Sequence, residues 1–173
     1  QQHRIARLVV EQLFGTVTGK RLAILGFAFK ADTTDTREAP AIRIARDLLE
    51  EGAQLSIHDP KVAEAQISRD LQLEPALAAA AFSGVGSWTQ ATSIEAAVQG
   101  ADAVLVLTEW QDYRYLNWPD LAALMRRPAH QRRKIRPVQI AIVLPFRGDQ
   151  TGISTLNRRC DRGGLSPTAN STK

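Results

Sequence analysis

Residues Arg21–Pro60 read RLAILGFAFKADTTDTREAPAIRIARDLLEEGAQLSIHDP. Arg21–Gly26 is a short apolar run after a Gly-Lys turn, which predicts a buried strand. Pro40 suits the first turn of a helix, where its missing N–H has no intrahelical partner to lose. Ile42, Ala45, Leu48 and Leu49 supply that helix with an apolar stripe, and Gly52 ends it. In QLSIHDP, Leu55 and Ile57 alternate with Ser56 and His58, predicting a second strand with the first pair inward and the second outward. Strand, helix of roughly 12 residues and strand is the pattern of a right-handed βαβ crossover.

The polar loop between Gly26 and Pro40 carries the chemistry. It places Lys30 and Arg37 beyond the carboxyl end of a strand, before a helix N-terminus whose N–H groups and dipole favour an anion. Lys30 adds a point charge, and Arg37 adds a forked donor suited to phosphate or ribose hydroxyls. Asp32, Asp35 and Glu38 share the loop and are expected to fix it through Asx-type turns and to pair with the two cations. The residues alone leave two readings open: an anion-binding loop, or a salt-bridged surface loop with no ligand. G-x-G-x-x-G is absent, since the chain runs Gly26-Phe27-Ala28-Phe29-Lys30, so a dinucleotide pyrophosphate is not expected here in the usual way. Asp59 stands where an acidic residue often binds a ribose, but without the glycines a plain Asp-Pro turn is the preferred reading.

Outward from this unit, helix and strand signals keep alternating. Ile5, Leu8, Val9 and Leu13 recur at helical spacing with Gly15 at C′, predicting a helix over His3–Phe14. Val62–Leu71 can be helical, and Leu73–Trp88, Ala-rich and then Gly/Ser-rich, reads as a surface excursion. Ser93 is placed to cap a short helix (IEAAV) closed by Gly100. Ala103–Leu107 (AVLVL) is a continuous apolar strand, and Asn117 is placed to cap a helix reaching about Met125. The pattern is that of an α/β doubly wound parallel sheet with ligands at the carboxyl ends of its strands. Beyond Arg127, VQIAIVLP reads as one strand, and Phe146–Lys173 is expected to be disordered.

The 173 residues suffice for one domain and at most a second small piece. No apolar run approaches the roughly 20 residues that span a bilayer, and the first residues hold no signal-peptide core. A cytoplasmic location without membrane partners is expected. The single cysteine, Cys160, cannot form an internal disulfide. The net charge of +4 is unevenly held: residues 1–125 carry 11 Lys/Arg against 16 Asp/Glu, and residues 126–173 carry 11 against 2. The body is therefore not read as a nucleic-acid binder, and RRKIR in the tail reads as a solvated charge run. His3, His58 and His130 lack ligand spacing, so no metal site is expected. Trp88, Trp110 and Trp118 read as packing or subunit-contact residues, and no catalytic triad or paired-carboxylate site emerges.

Gly19–Val62, with its FAFK and DTRE loop and DPKV turn, is followed in order by GADAVLVLTEW at Gly100–Trp110 and a Leu-Asn-Trp helix start. This succession resembles the C-terminal, UDP-sugar-binding domain of UDP-glucose 6-dehydrogenases, within the UDP-glucose/GDP-mannose dehydrogenase family. The resemblance runs from His3 to Ala129. It implies a Rossmann-like fold, with residues 1–15 ending a central dimerisation helix, 16–129 forming the UDP-sugar-binding domain, and 130–173 a divergent basic tail, largely disordered. It also implies that Phe29 and Lys30 contact the substrate, and that Arg37 contacts NAD held mainly by an N-terminal domain. The implied reaction takes UDP-glucose to UDP-glucuronate by two hydride transfers, in a homodimer or higher oligomer.

The family's catalytic cysteine, its Lys and Asp helpers and the glycine-rich NAD turn are expected in segments before Gln1. Cys160 lies outside any such motif and is not assigned a catalytic role. After Arg127 the family continues into a strand and an Asp-Gly-Arg-like turn, which AHQRRKIRPVQIAIV does not resemble; a frame change or altered terminus is the expected reason. The expectation is thus an enzyme portion, inactive by itself. The alternatives are a standalone nucleotide-binding or regulatory module, a dehydrogenase for GDP-mannose or UDP-N-acetylmannosamine, and a nucleic-acid binder acting through its tail.

Overall fold

The computed structural model describes residues 2–75, 86–126, 140–143 and 154–157, with side chains in 4–75 and 86–126. The chain begins with α1 (Gln2–Gln12), β1 (Arg21–Leu25), α2 (Pro40–Glu50) and β2 (Gln54–His58). It continues through α3 (Glu64–Leu71), β3 (Ser87–Gln90), α4 (Ile94–Val98) and β4 (Ala103–Val106). Last come α5 (Gln111–Arg114), α6 (Trp118–Leu124), β5 (Ile140–Val143) and β6 (Ser154–Asn157). One sheet runs in the order β3-β2-β1-β4-β5-β6. Every neighbouring pair from β3 to β5 is parallel, and β6 is antiparallel to β5.

The expected α/β doubly wound sheet is present. Leu22–Leu25 of β1 and all of β4 are buried, which requires cover on both faces. α1, α2 and α3 contact one another in succession, while α4 contacts β1, β2 and α6. Pro40 opens α2 as predicted, and Gly52 follows it with a φ of 80°. The Ser93 hydroxyl caps α4 by accepting from the Ala96 N–H at 3.1 Å.

Several expectations change in detail. The buried stripe of α2 is Ala41, Ile44, Ala45, Leu48 and Leu49, with Ile42 only partly covered. Ser56 is buried rather than outward, because β2 lies inside the sheet and both its faces are covered. The left-handed turn after α1 begins at Phe14 (φ 63°), one residue before Gly15. Asn117 occupies the N-cap position of α6, but its side-chain amide binds the Asp120 carboxylate at 2.6 Å instead of a backbone N–H.

The end of the supposed surface excursion is strand β3. Four residues beside glycines give too little pattern to read, yet Trp88 is fully buried and its indole N–H donates to the Leu73 carbonyl at 2.8 Å. Residues 76–85 of that excursion lie outside the described residues. In the tail, β5 falls within VQIAIVLP as predicted, whereas no element was expected at Ser154–Asn157. The remainder of the 130–173 expectation lies outside the described residues.

The chain leaves β1 toward β2 on one side, and β4 is followed across the sheet by β5 on the other. Their carboxyl ends therefore flank the topological switch point, where open α/β sheets leave a crevice.

Candidate functional site

The loop after β1 is pinned residue by residue. The Gly26 N–H donates to the His58 carbonyl at 2.8 Å. The Phe27 and Ala28 N–H groups both donate to Asp59 Oδ2, at 2.7 and 3.0 Å. The Ala28 carbonyl accepts from Thr108 Oγ1 at 2.7 Å, joining the loop to the end of β4. The Phe29 N–H then donates to the Asp35 carbonyl at 2.8 Å, which closes the loop. Phe27 and Ala28 are buried, so the chain turns outward at the next residues: Phe29 is 38% exposed and Lys30 is exposed.

Asp35 organises the far side of the loop. Its Oδ1 accepts from the Arg37 backbone N–H at 3.0 Å and from Nε at 2.9 Å, while Oδ2 accepts from a terminal guanidinium nitrogen at 2.8 Å. This is the expected Asx-type turn with a forked pair added. The Arg37 side chain, then its backbone N–H, holds the Asp35 carboxyl down at about 2, with Lys30 adding attraction. Phe29, Lys30 and Arg37 are thus gathered around Asp35. Asp32 pairs instead with Lys61, at 3.8 Å, and Lys61 also stands 5.7 Å above the Trp110 ring.

Asp59 is more than an Asp-Pro turn. Oδ2 accepts from the Phe27 and Ala28 N–H groups and from Trp110 Nε1 at 3.2 Å. Oδ1 accepts from the Lys61 and Val62 N–H groups at 2.9 and 3.0 Å. Five donors converge on a residue that is 6% exposed, so both oxygens are engaged internally and neither is offered to a ribose. The same observation tests the fit to a whole dinucleotide. With no glycine fingerprint and with Asp59 occupied, these residues do not form its cradle; Arg37 stays exposed while paired with Asp35.

The segment after β4 is tied to the end of β2. The Tyr113 hydroxyl donates to the His58 carbonyl at 3.0 Å and meets His58 Nδ1 at 2.8 Å. With the hydroxyl proton directed at the carbonyl, Nδ1 carries the hydrogen of that second bond. Burial pushes the Tyr113 hydroxyl up, reinforced by Asp59, and burial lowers His58. A cavity of 430 Å³ opens next to this tie, lined by His58, Glu64, Gln90 and Thr92 among others. Phe29, Lys30 and Arg37 are not among its lining residues.

Thr108, Lys61 and Tyr113 were not singled out by sequence reasoning. Thr108 had one usable signal, a polar residue closing an apolar run opposite the lone Gly26. Trp88 and Trp110 are buried and Trp118 partly so, as packing residues are. The His3 side chain, His130 and Cys160 lie outside the described residues. Among the described residues no three metal-ligating side chains cluster, and no helix is long and apolar enough to cross a membrane.

Residues 23–134 match the model of the UDP-glucose/GDP-mannose dehydrogenase family, UDP binding domain. UDP-glucose 6-dehydrogenase 2 of Oryza sativa subsp. japonica is 41% identical over 140 residues, covering 75% of this chain and 28% of that protein. UDP-glucose 6-dehydrogenase of Caenorhabditis elegans is 42% identical over 133 residues, covering 75% and 26%. The chain therefore spans little more than a quarter of the length of these relatives. A UDP-glucose dehydrogenase structure from Pyrobaculum islandicum superposes with a TM-score of 0.54 at 24% identity, over 82% of this chain and 26% of that one. A UDP-D-ManNAc dehydrogenase from Pyrococcus horikoshii gives 0.52 at 21%, over 73% and 24%. These two likenesses concern the fold, and they agree with the sheet described above. Sequence match and topology converge on the same segment, and the chain belongs to the UDP-glucose/GDP-mannose dehydrogenase family through its UDP binding domain.

Proposed function

We propose that this chain supplies the nucleotide-sugar-binding part of an NAD-dependent UDP-glucose 6-dehydrogenase, which converts UDP-glucose to UDP-glucuronate. The observation that carries the reading is the loop pinned by Asp59 and Thr108 at the switch point, presenting Phe29 and Lys30 within the segment that matches the UDP binding domain. In this reading Phe29 packs its ring against the ligand, and the Lys30 ammonium pairs with its diphosphate. Arg37 reaches NAD held mainly by another domain; when bound, that cofactor accepts hydride. α1 belongs to a helix that joins domains and subunits, and the working enzyme is a homodimer or higher oligomer in the cytoplasm.

The chain alone is expected to make no NADH. It has no G-x-G-x-x-G turn, and its one cysteine, Cys160, lies beyond the matched residues 23–134. Titration calorimetry with UDP-glucose tests the binding half of the reading. Saturable heat that weakens about tenfold in Lys30→Ala is the expected result. Equal affinity in the variant, or no binding at all, contradicts the role given to Lys30.

A further inference from the structure

We infer that Asp59 is a positioning residue for the nucleotide: it touches no ligand, and it sets affinity by fixing the backbone from which Phe29 and Lys30 project. The inference rests on the reading above. A carboxylate with about four lone-pair sites receives five donors here, arranged in two sets. Trp110 Nε1 and the Phe27 and Ala28 N–H groups meet Oδ2, and the Lys61 and Val62 N–H groups meet Oδ1. One side chain thereby links the loop after β1, the turn after β2 and the segment after β4.

The consequence for Lys30 follows from where the bonds stop. Ala28 is held on both sides, by Asp59 at its N–H and by Thr108 at its carbonyl, and the next N–H is committed to Asp35. Lys30 is the first exposed charged side chain beyond these anchors. Release of Oδ2 frees two successive N–H groups just upstream of Phe29, and the direction of the Lys30 side chain is no longer set. Asp59→Asn has nearly the same volume but one oxygen and one NH2 group. Whichever way the amide turns, it points donors at N–H groups that now meet an acceptor.

The experiment is a double-variant cycle on the whole chain, with UDP as the probe and calorimetric affinity as the readout. Asp59→Asn is expected to weaken UDP binding about tenfold with far-ultraviolet dichroism unchanged, and to cause a clearly smaller loss in a Lys30→Ala background, where only the Phe29 contact is left to lose. A residue that merely stabilises the fold lowers the melting temperature and leaves that cycle additive. Affinity within about twofold of the parent, or an equal loss in both backgrounds, overturns the inference while the Lys30 result stands by itself. Should Asp59→Asn fail to fold, Trp110→Phe runs the same cycle. It removes one donor from Oδ2, and a Lys30-dependent loss of about two- to threefold is expected, with unchanged affinity overturning the inference. Absence of UDP binding by the parent chain contradicts the functional reading, and this inference falls with it.

Discussion

Gly26 and Thr108 meet so closely across the β1–β4 pair that a β-carbon on Gly26 would lie 2.5 Å from Thr108 Cβ. It would also lie 2.8 Å from the Thr108 backbone nitrogen. Gly26 adopts a φ of +92°, which side-chain-bearing residues rarely tolerate. Gly26→Ala therefore combines backbone strain with overpacking and is expected to destabilise the protein by about 2–4 kcal/mol in urea unfolding. A loss below about 0.5 kcal/mol would show that the two loops are not locked together as described.

The Asp35–Arg37 pair predicts a titration. The Asp35 carboxyl is expected to titrate at about 2 by carboxyl NMR, and to rise toward 3.8 in Arg37→Gln. The sign follows from the depressed folded value: the stabilising contribution is present above 3.8 and is lost as pH falls through about 2. Because the pair is solvent-exposed, its effect on unfolding is small and salt-sensitive, so the titration itself is the measurement. An Asp35 midpoint unmoved by the substitution contradicts the pairing.

His58 predicts a dependence in a higher window. Burial lowers it below its ordinary 6.5, opposed by Asp59, Glu95 and Asp112. Its folded value is depressed, so the neutral ring's contribution is fully present above 6.5 and is lost as pH falls through the folded value. The gap in melting temperature between the parent and His58→Asn is expected to narrow from about pH 8 to about pH 5. A gap that widens on acidification contradicts the assignment.

Trp88 predicts a core effect at a strand the sequence concealed. Trp88→Ala is expected to cost about 3–5 kcal/mol in urea unfolding, the range for emptying a large buried site. A loss under about 1 kcal/mol would place the indole outside the core.

What the sequence made legible were features with a local cause. Pro40 and Gly52 bracket α2, Ser93 caps α4, and the apolar runs at Arg21 and Ala103 become adjacent central strands. Lys30 and Arg37 stood out because their charge and strand-end position suit an anion, whereas Phe29 was named only through the family resemblance. What stayed hidden depends on partners far along the chain. Asp59 acquires its meaning only when Phe27, Ala28 and Trp110 arrive from two other loops. Ser56 looked outward because alternation was read as one-sided burial, which fails for an interior strand of a sheet covered on both faces.

The most direct test of where the nucleotide sits is an NMR titration of the isotope-labelled chain with UDP, read residue by residue. The largest shifts are expected on the Phe29 and Lys30 amides, with smaller ones at Thr108 and the Trp110 indole N–H. Shifts concentrated on Gln90–Thr92 beside the cavity at the end of β3, with Phe29 and Lys30 unmoved, would contradict that placement.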